Sequence, residues 1–203
     1  MLELLTSGGW VMVPLIIMAV VTTAIALERL WTLRRSEVIP HGIVEEIENW
    51  SKGKDLVESE IQRLRKDSPL GELLAAALLV RHKPRHVIKE RIEDVGRHIS
   101  HDLSRFLPSL GTIAVVSPLL GLLGTVFGMI QMFLTILTTG VGDANQLAGG
   151  IGQALISTAV GLCVAIPSLM LHRYFRGKVT GYIIEIEKVA IYLLDVLEAR
   201  QVE

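Results

Sequence analysis

Two stretches decide what this chain can fold into. Residues 106–142 and 144–172 contain no Lys, Arg, Asp or Glu. Runs of that length leave no charged face for water, and a membrane span needs roughly 20 predominantly apolar residues. Inside a bilayer every backbone N–H and C=O must be satisfied within the segment, which predicts α-helix for both. A third apolar stretch, Trp10 to Leu27, is shorter but still long enough. The reading is an all-α membrane protein with three transmembrane helices, the second and third extended into the cytoplasm as a helical bundle. The first uncharged run has 37 residues, roughly 55 Å of helix at about 1.5 Å per residue, against a hydrocarbon core of ~30 Å. Dividing it into two spans would place the basic residues at 173–178 outside, so one long helix with inner turns packed on protein fits better.

Basic residues near span ends mark the cytoplasmic side. Arg29, Arg34 and Arg35 follow the first span, and Lys89, Arg91, Arg97 and Arg105 precede the second. Arg173, Arg176 and Lys178 follow the third, while the first eight residues and the segment 140–145 have no basic residue. One topology satisfies every flank: N-terminus outside, C-terminus inside. The chain then divides into an outer N-terminal segment (1–9), a first transmembrane helix (10–30) and a cytoplasmic helical segment (31–106). A second transmembrane helix with an inner extension (107–139), a short outer loop (140–149), a third transmembrane helix (150–172) and a cytoplasmic C-terminal helix (173–203) complete it. The N-terminus lacks a basic n-region and a small-residue cleavage site, so the first span is expected to be retained.

Between the spans, residues 42–66 place apolar positions at helix spacing. Ser68-Pro69-Leu70 starts a helix, with Ser as N-cap and Pro in the first turn. His82-Lys83-Pro84 breaks it, and a new helix is expected to run from Pro84 into the second span without interruption. Ile183, Ile186, Val189, Ala190, Leu193, Leu194 and Leu197 share one face of the C-terminal helix. With 20 basic and 21 acidic residues and no long Lys/Arg run, a nucleic-acid partner is not expected. The single cysteine, Cys163, excludes a disulfide framework and a cysteine metal cluster. His82 and His86 are separated by Pro84, and His98 and His101 lie on a charged helix face, so no metal and no cofactor are expected. No nucleophile elbow, Walker loop or His-Glu-x-x-His sequence is present, and the chain is not read as an enzyme.

The spans themselves carry stripes of small and hydroxyl residues. On the second these are Gly111, Pro118, Gly121, Thr125, Gly128, Met132, Thr135 and Thr139, with Gly124 and Gly128 four apart. On the third they are Gly150, Ala154, Ser157 and Thr158, Gly161, Ala165 and Ser168. In lipid, helices associate by close packing and interhelical hydrogen bonds, so small residues mark a contact face. Two readings stay open: packing alone, or a polar path lined by Thr125 and Thr158. Proton relays within membranes use Asp, Glu or His. The depths of the second and third spans hold no carboxylate, and Gln153 does not titrate. If protons cross here, the titrating group must come from a partner chain.

Ser117-Pro118-Leu119-Leu120-Gly121-Leu122-Leu123-Gly124-Thr125-Val126-Phe127-Gly128 resembles the second-span motif of the MotA/TolQ/ExbB family. The stretch from Leu147 through Gln153, Ser157, Thr158 and Gly161 to Pro167 resembles its third-span motif. Span order, the short outer loop and the cytoplasmic helices match along the whole chain, and three spans favour the ExbB and TolQ branches. The resemblance implies a homopentameric ring in the bacterial inner membrane, with a periplasmic N-terminus. Its pore would hold single-span ExbD-like helices, each bringing one membrane Asp, and proton passage there would drive a TonB-like protein. It implies that Thr125 and Thr158 are pore threonines, with Gln153 where several relatives carry Glu, and Pro118, Gly121, Gly124, Gly128, Gly161 and Pro167 in helix packing. A TolQ-like motor for outer-membrane integrity, or a non-conducting scaffold for a partner helix, are the alternatives.

Overall fold

A computed structural model of the chain describes residues 9–40, 42–43, 45, 58–140 and 144–202; among them the only regular structure is helix, joined by short turns, without strands. The helices are α1 (Met12–Thr32), α2 (Arg35–Val38), α3 (Glu58–Asp67), α4 (Pro69–Leu79), α5 (Arg85–Leu103), α6 (Leu107–Thr139) and α7 (Ala144–Val202). Three helices are long and apolar enough to cross a membrane, so this is an all-α, multi-pass membrane protein. Most of the helix expected over 42–66 lies outside the described residues, as do residues 1–8 of the outer segment and 141–143 of the outer loop. The chain forms two compact units, Met1–Glu28 with Phe106–Tyr174, and Arg29–Arg105 with Phe175–Glu203.

The first unit is the membrane unit. Here α6 and the first half of α7 lie antiparallel, because Gly121 meets Thr158 and Gly161, while Gly128 meets Gly150 and Ala154. Val11, Met12 and Leu15 from the start of α1 are buried against Leu120 and Val160. Thr22 on α1 and Ser168 on α7 are both buried and share a hydrogen bond of 2.9 Å between their hydroxyls. Bonds of this kind contribute about 1 kcal/mol between helices in lipid. Leu122, Val126, Phe133, Leu137, Leu155 and Met170 point outward and are exposed in the isolated chain. Such a surface suits lipid or neighbouring chains rather than water. Pro118 and Pro167 sit inside α6 and α7 without ending them.

The second unit packs the short helix α4 at its centre. Leu70, Leu73, Leu74, Ala75, Ala77 and Leu78 are buried. Its start follows the sequence: Ser68 is the N-cap, its Oγ accepting the Gly71 N–H at 3.0 Å, and Pro69 opens the first turn. Helix α7 supplies Phe175, Val179, Ile186 and Leu193 to this core, and the Tyr182 hydroxyl donates to the Leu33 carbonyl at 2.9 Å. Arg29 is only 4% exposed. Its Nη1 donates to the carbonyls of Asp102 and Leu103 at 3.4 and 3.2 Å, the C-terminal end of α5. A cation is favoured there because unsatisfied carbonyls give the helix end partial negative charge.

One expectation is corrected. The helix from Pro84 does not continue into the second span. It ends at Leu103, and the chain turns through Ser104 and Phe106, whose φ is +64°, before α6 begins. The cause is Pro108: it lacks an N–H, and its ring would strike the carbonyl four residues back, at Ser104. At the far end α7 runs unbroken through position 172, where the span and the C-terminal helix were expected to join.

Candidate functional site

The small residues of the two stripes form the α6–α7 seam. A Cβ added to Gly121 would stand 2.9 Å from the Ser157 carbonyl oxygen and 3.1 Å from Thr158 Cα. One on Gly161 would stand 2.7 Å from the Ser117 carbonyl oxygen and 3.1 Å from Gly121 Cα. At Gly128 the neighbours are Ala154 Cβ and the Gly150 carbonyl, both at 3.1 Å, and at Gly124 a Cβ would collide with the Ser157 side chain. Real Cβ atoms do not approach backbone as closely as at Gly121 and Gly161, so those two positions need glycine for approach rather than for φ, while a methyl at Gly124 or Gly128 would force its neighbours to shift.

Thr125 and Thr158 stand at matching levels of the antiparallel pair. Their hydroxyls are committed differently. Thr158 Oγ1 donates across the seam to the Gly121 carbonyl at 3.3 Å. Thr125 Oγ1 donates to Leu122 of its own helix at 2.6 Å, the local satisfaction open to any membrane threonine. Each oxygen retains acceptor capacity. Ser157, buried, turns back to the Gln153 carbonyl at 2.9 Å. The Gln153 amide lies against the chain just before α1, where a Cβ on Gly9 would meet it; Gly9 has φ +70°. Trp10 beside it meets Phe127 edge to face, with centroids 5.4 Å apart.

Sequence reasoning passed over two features. Ser117 is fully buried and donates to Met18 Sδ at 3.5 Å, tying α6 to α1. His172, not among the histidines weighed as metal ligands, lies in the membrane unit with Nδ1 2.8 Å from the Leu107 carbonyl oxygen. Its ring rests on Gly111, where a Cβ would stand 3.2 Å from Cε1. The available signal was spacing: His172 lies on the stripe of Thr158, and Gly111 on that of Thr125. Among the described residues no group of three or more His, Cys, Asp or Glu is placed to hold a metal.

A seam of glycines and hydroxyls between two of three apolar spans defines a class, multi-pass helical membrane proteins with closely packed spans. The chain belongs to the MotA/TolQ/ExbB proton channel family, which residues 65–188 match. It is 34% identical over 177 residues to an ExbB-like biopolymer transport protein of Synechocystis, covering 85% of this chain and 69% of the relative. It is 31% identical over 191 residues to an ExbB homologue of Methanothermobacter thermautotrophicus, covering 93% and 67%. With the biopolymer transport protein ExbB of Salmonella typhimurium it shares 33% over 116 residues, covering 57% and 46%.

Proposed function

We propose that this chain is the ring-forming subunit of a proton-driven motor in the inner membrane, energising TonB-dependent transport across the outer membrane. The observation that carries it is the α6–α7 seam. Two hydroxyls, Thr125 and Thr158, stand at one level in spans whose residues 107–139 and 144–171 include no acid and no histidine. A proton-handling site built that way requires a carboxyl from another chain, and a single-span partner with one membrane Asp supplies it. As they stand the hydroxyls accept from the carboxylic acid, and each donates to the carboxylate by turning its O–H away from the backbone carbonyl it now bonds, since Thr does both. They therefore hold the partner in either protonation state. One charge crossing 100 mV releases about 2.3 kcal/mol, enough to bias a step between equivalent positions of a ring.

The assembly is a homopentamer, with the N-terminus periplasmic and the C-terminus cytoplasmic, as the basic flanks require. Pro118, Gly121, Gly124, Gly128, Gly161 and Pro167 serve the packing that places the threonines, and Gln153 braces the outer end against the segment before α1. A ring serving outer-membrane integrity shares these features and is told apart by the transport phenotype.

Native mass spectrometry of the purified chain, co-expressed with the single-span protein of its own genome, tests this. Five copies retaining at least one Asp-bearing helix are expected. Proton flux into proteoliposomes should stop when that Asp becomes Asn. A monomer that captures no such helix in lipid, or flux indifferent to that Asp, would sink the motor reading.

A further inference from the structure

Resting on the proton path proposed above, we propose that His172 is the proton-accepting group at its inner end, and that Gly111 is the notch that positions it. Register is the first support. Gly111 precedes Thr125 on α6 by as many residues as His172 follows Thr158 on α7, close to four helical turns in each case. The helices are antiparallel, so both steps run to the same end, and four turns return a side chain to nearly the same face. His172 with Gly111 thus repeats the Thr158–Thr125 level roughly 21 Å further in, at about 1.5 Å per residue.

Space is the second support. A Cβ on Gly111 would lie 3.2, 3.4 and 3.5 Å from Cε1, Nδ1 and Nε2 of the imidazole. The ring therefore packs closely on the bare backbone of Gly111, and a methyl there would push it back by a few tenths of an ångström. The hydrogen bond is the third. A carbonyl only accepts, so the 2.8 Å contact with Leu107 makes Nδ1 the N–H nitrogen of the neutral ring. That leaves Nε2 for exchange.

The electrostatic setting is sparse. Helix α6 presents no titratable side chain anywhere along 107–139, Arg173 and Arg176 follow on His172's own helix, and Glu28 stands at the inner end of α1. Imidazole is the side chain that changes charge between about pH 5 and 8. A proton arriving along the path from the Thr125–Thr158 level passes through water to Nε2, giving imidazolium with both nitrogens protonated. Nε2 then releases that proton to cytoplasmic water and the neutral Nδ1–H ring returns. Nδ1 keeps its hydrogen in both states, so the Leu107 bond holds the ring still throughout.

The test uses the chain reconstituted with its single-span partner in proteoliposomes, reading proton flux against pH under a clamped potential. His172→Asn keeps an N–H near the Nδ1 position and cannot titrate. It should assemble with unchanged native mass, lose roughly tenfold or more of the flux, and lose the wild-type dependence of flux on pH. Gly111→Ala, which displaces the ring, should lower flux and shift the profile. Wild-type flux and profile in His172→Asn would overturn the assignment. Should that variant fail to assemble, a wild-type profile in assembled Gly111→Ala overturns it instead. Thr158→Val runs in parallel. If it abolishes flux while His172→Asn does not, His172 alone loses its role; if both keep full flux, the path itself is wrong.

Discussion

Thr158 is the residue on which stability and function separate most cleanly. Its bond to the Gly121 carbonyl is part-buried and 3.3 Å long, and interhelical bonds in lipid contribute about 1 kcal/mol or less. Thr158→Val keeps the shape and is expected to leave protein levels normal while energised uptake falls sharply; Thr158→Ser should retain most of it. Parallel immunoblots and uptake assays of the two variants check this. Gly161 behaves in the opposite sense. A methyl there would press on the Ser117 carbonyl at 2.7 Å, and overpacking of this kind costs about 1–3 kcal/mol. Gly161→Ala should lower the melting temperature of the detergent-solubilised chain before any transport is measured. The small residues were legible because lipid gives helices little other means of close approach. Their individual partners were not, since spacing on one helix does not say which residue of another it faces. His172 escaped for a related reason: it carries no fixed charge, so it vanished into an uncharged run.

Among the elements, α4 and the junction before α6 show what local chemistry can and cannot announce. Ser68 followed by Pro69 announced the start of α4 without ambiguity, and Ser68 Oγ accepts the Gly71 N–H. Ser68→Ala should destabilise the second unit by about 1 kcal/mol, read as an earlier chemical-denaturation midpoint. The junction was hidden because apolar periodicity continues through Ile99 and Leu103 into Leu107, masking the veto imposed by Pro108. Phe106 takes the consequence, a left-handed φ of +64° that costs a side-chain-bearing residue about 1–2 kcal/mol. Phe106→Gly is expected to recover about 1 kcal/mol of that strain, visible as a higher melting temperature with transport retained. The C-terminal extension of α7 was legible from Ile183 to Leu197, whose 3.6-residue rhythm needs a buried face. Ile186, Ala190, Leu193, Leu194 and Leu197 of that face do lie buried, with Ile183 and Val189 partly so.

For the whole molecule, charge placement carries more information than charge pairing. Arg85 reaches both Asp195 and Glu198, yet these groups are about half exposed and such pairs contribute at most about 1 kcal/mol; Arg85→Ala should barely move the melting temperature. The basic flanks, by contrast, predict orientation. With Cys163 replaced by Ser, a cysteine at Gly140 should react with an impermeant maleimide from outside the inner membrane, and one at Gly177 only after the membrane is opened. The reverse pattern would invert the topology. Arg29 draws these themes together along the axis of time. During synthesis the ribosome makes it 73 residues before Asp102, the first of the two residues whose carbonyls finally accept from it. On the topology proposed above, its guanidinium would serve through that interval as a sorting signal, holding the newly inserted first span by its inner end. Once α5 emerges, the same cation is withdrawn from solvent and caps a finished helix. On that topology the signal would be spent in the act of folding, and the choice of side made at the start would be locked by the same bond that finishes the helix.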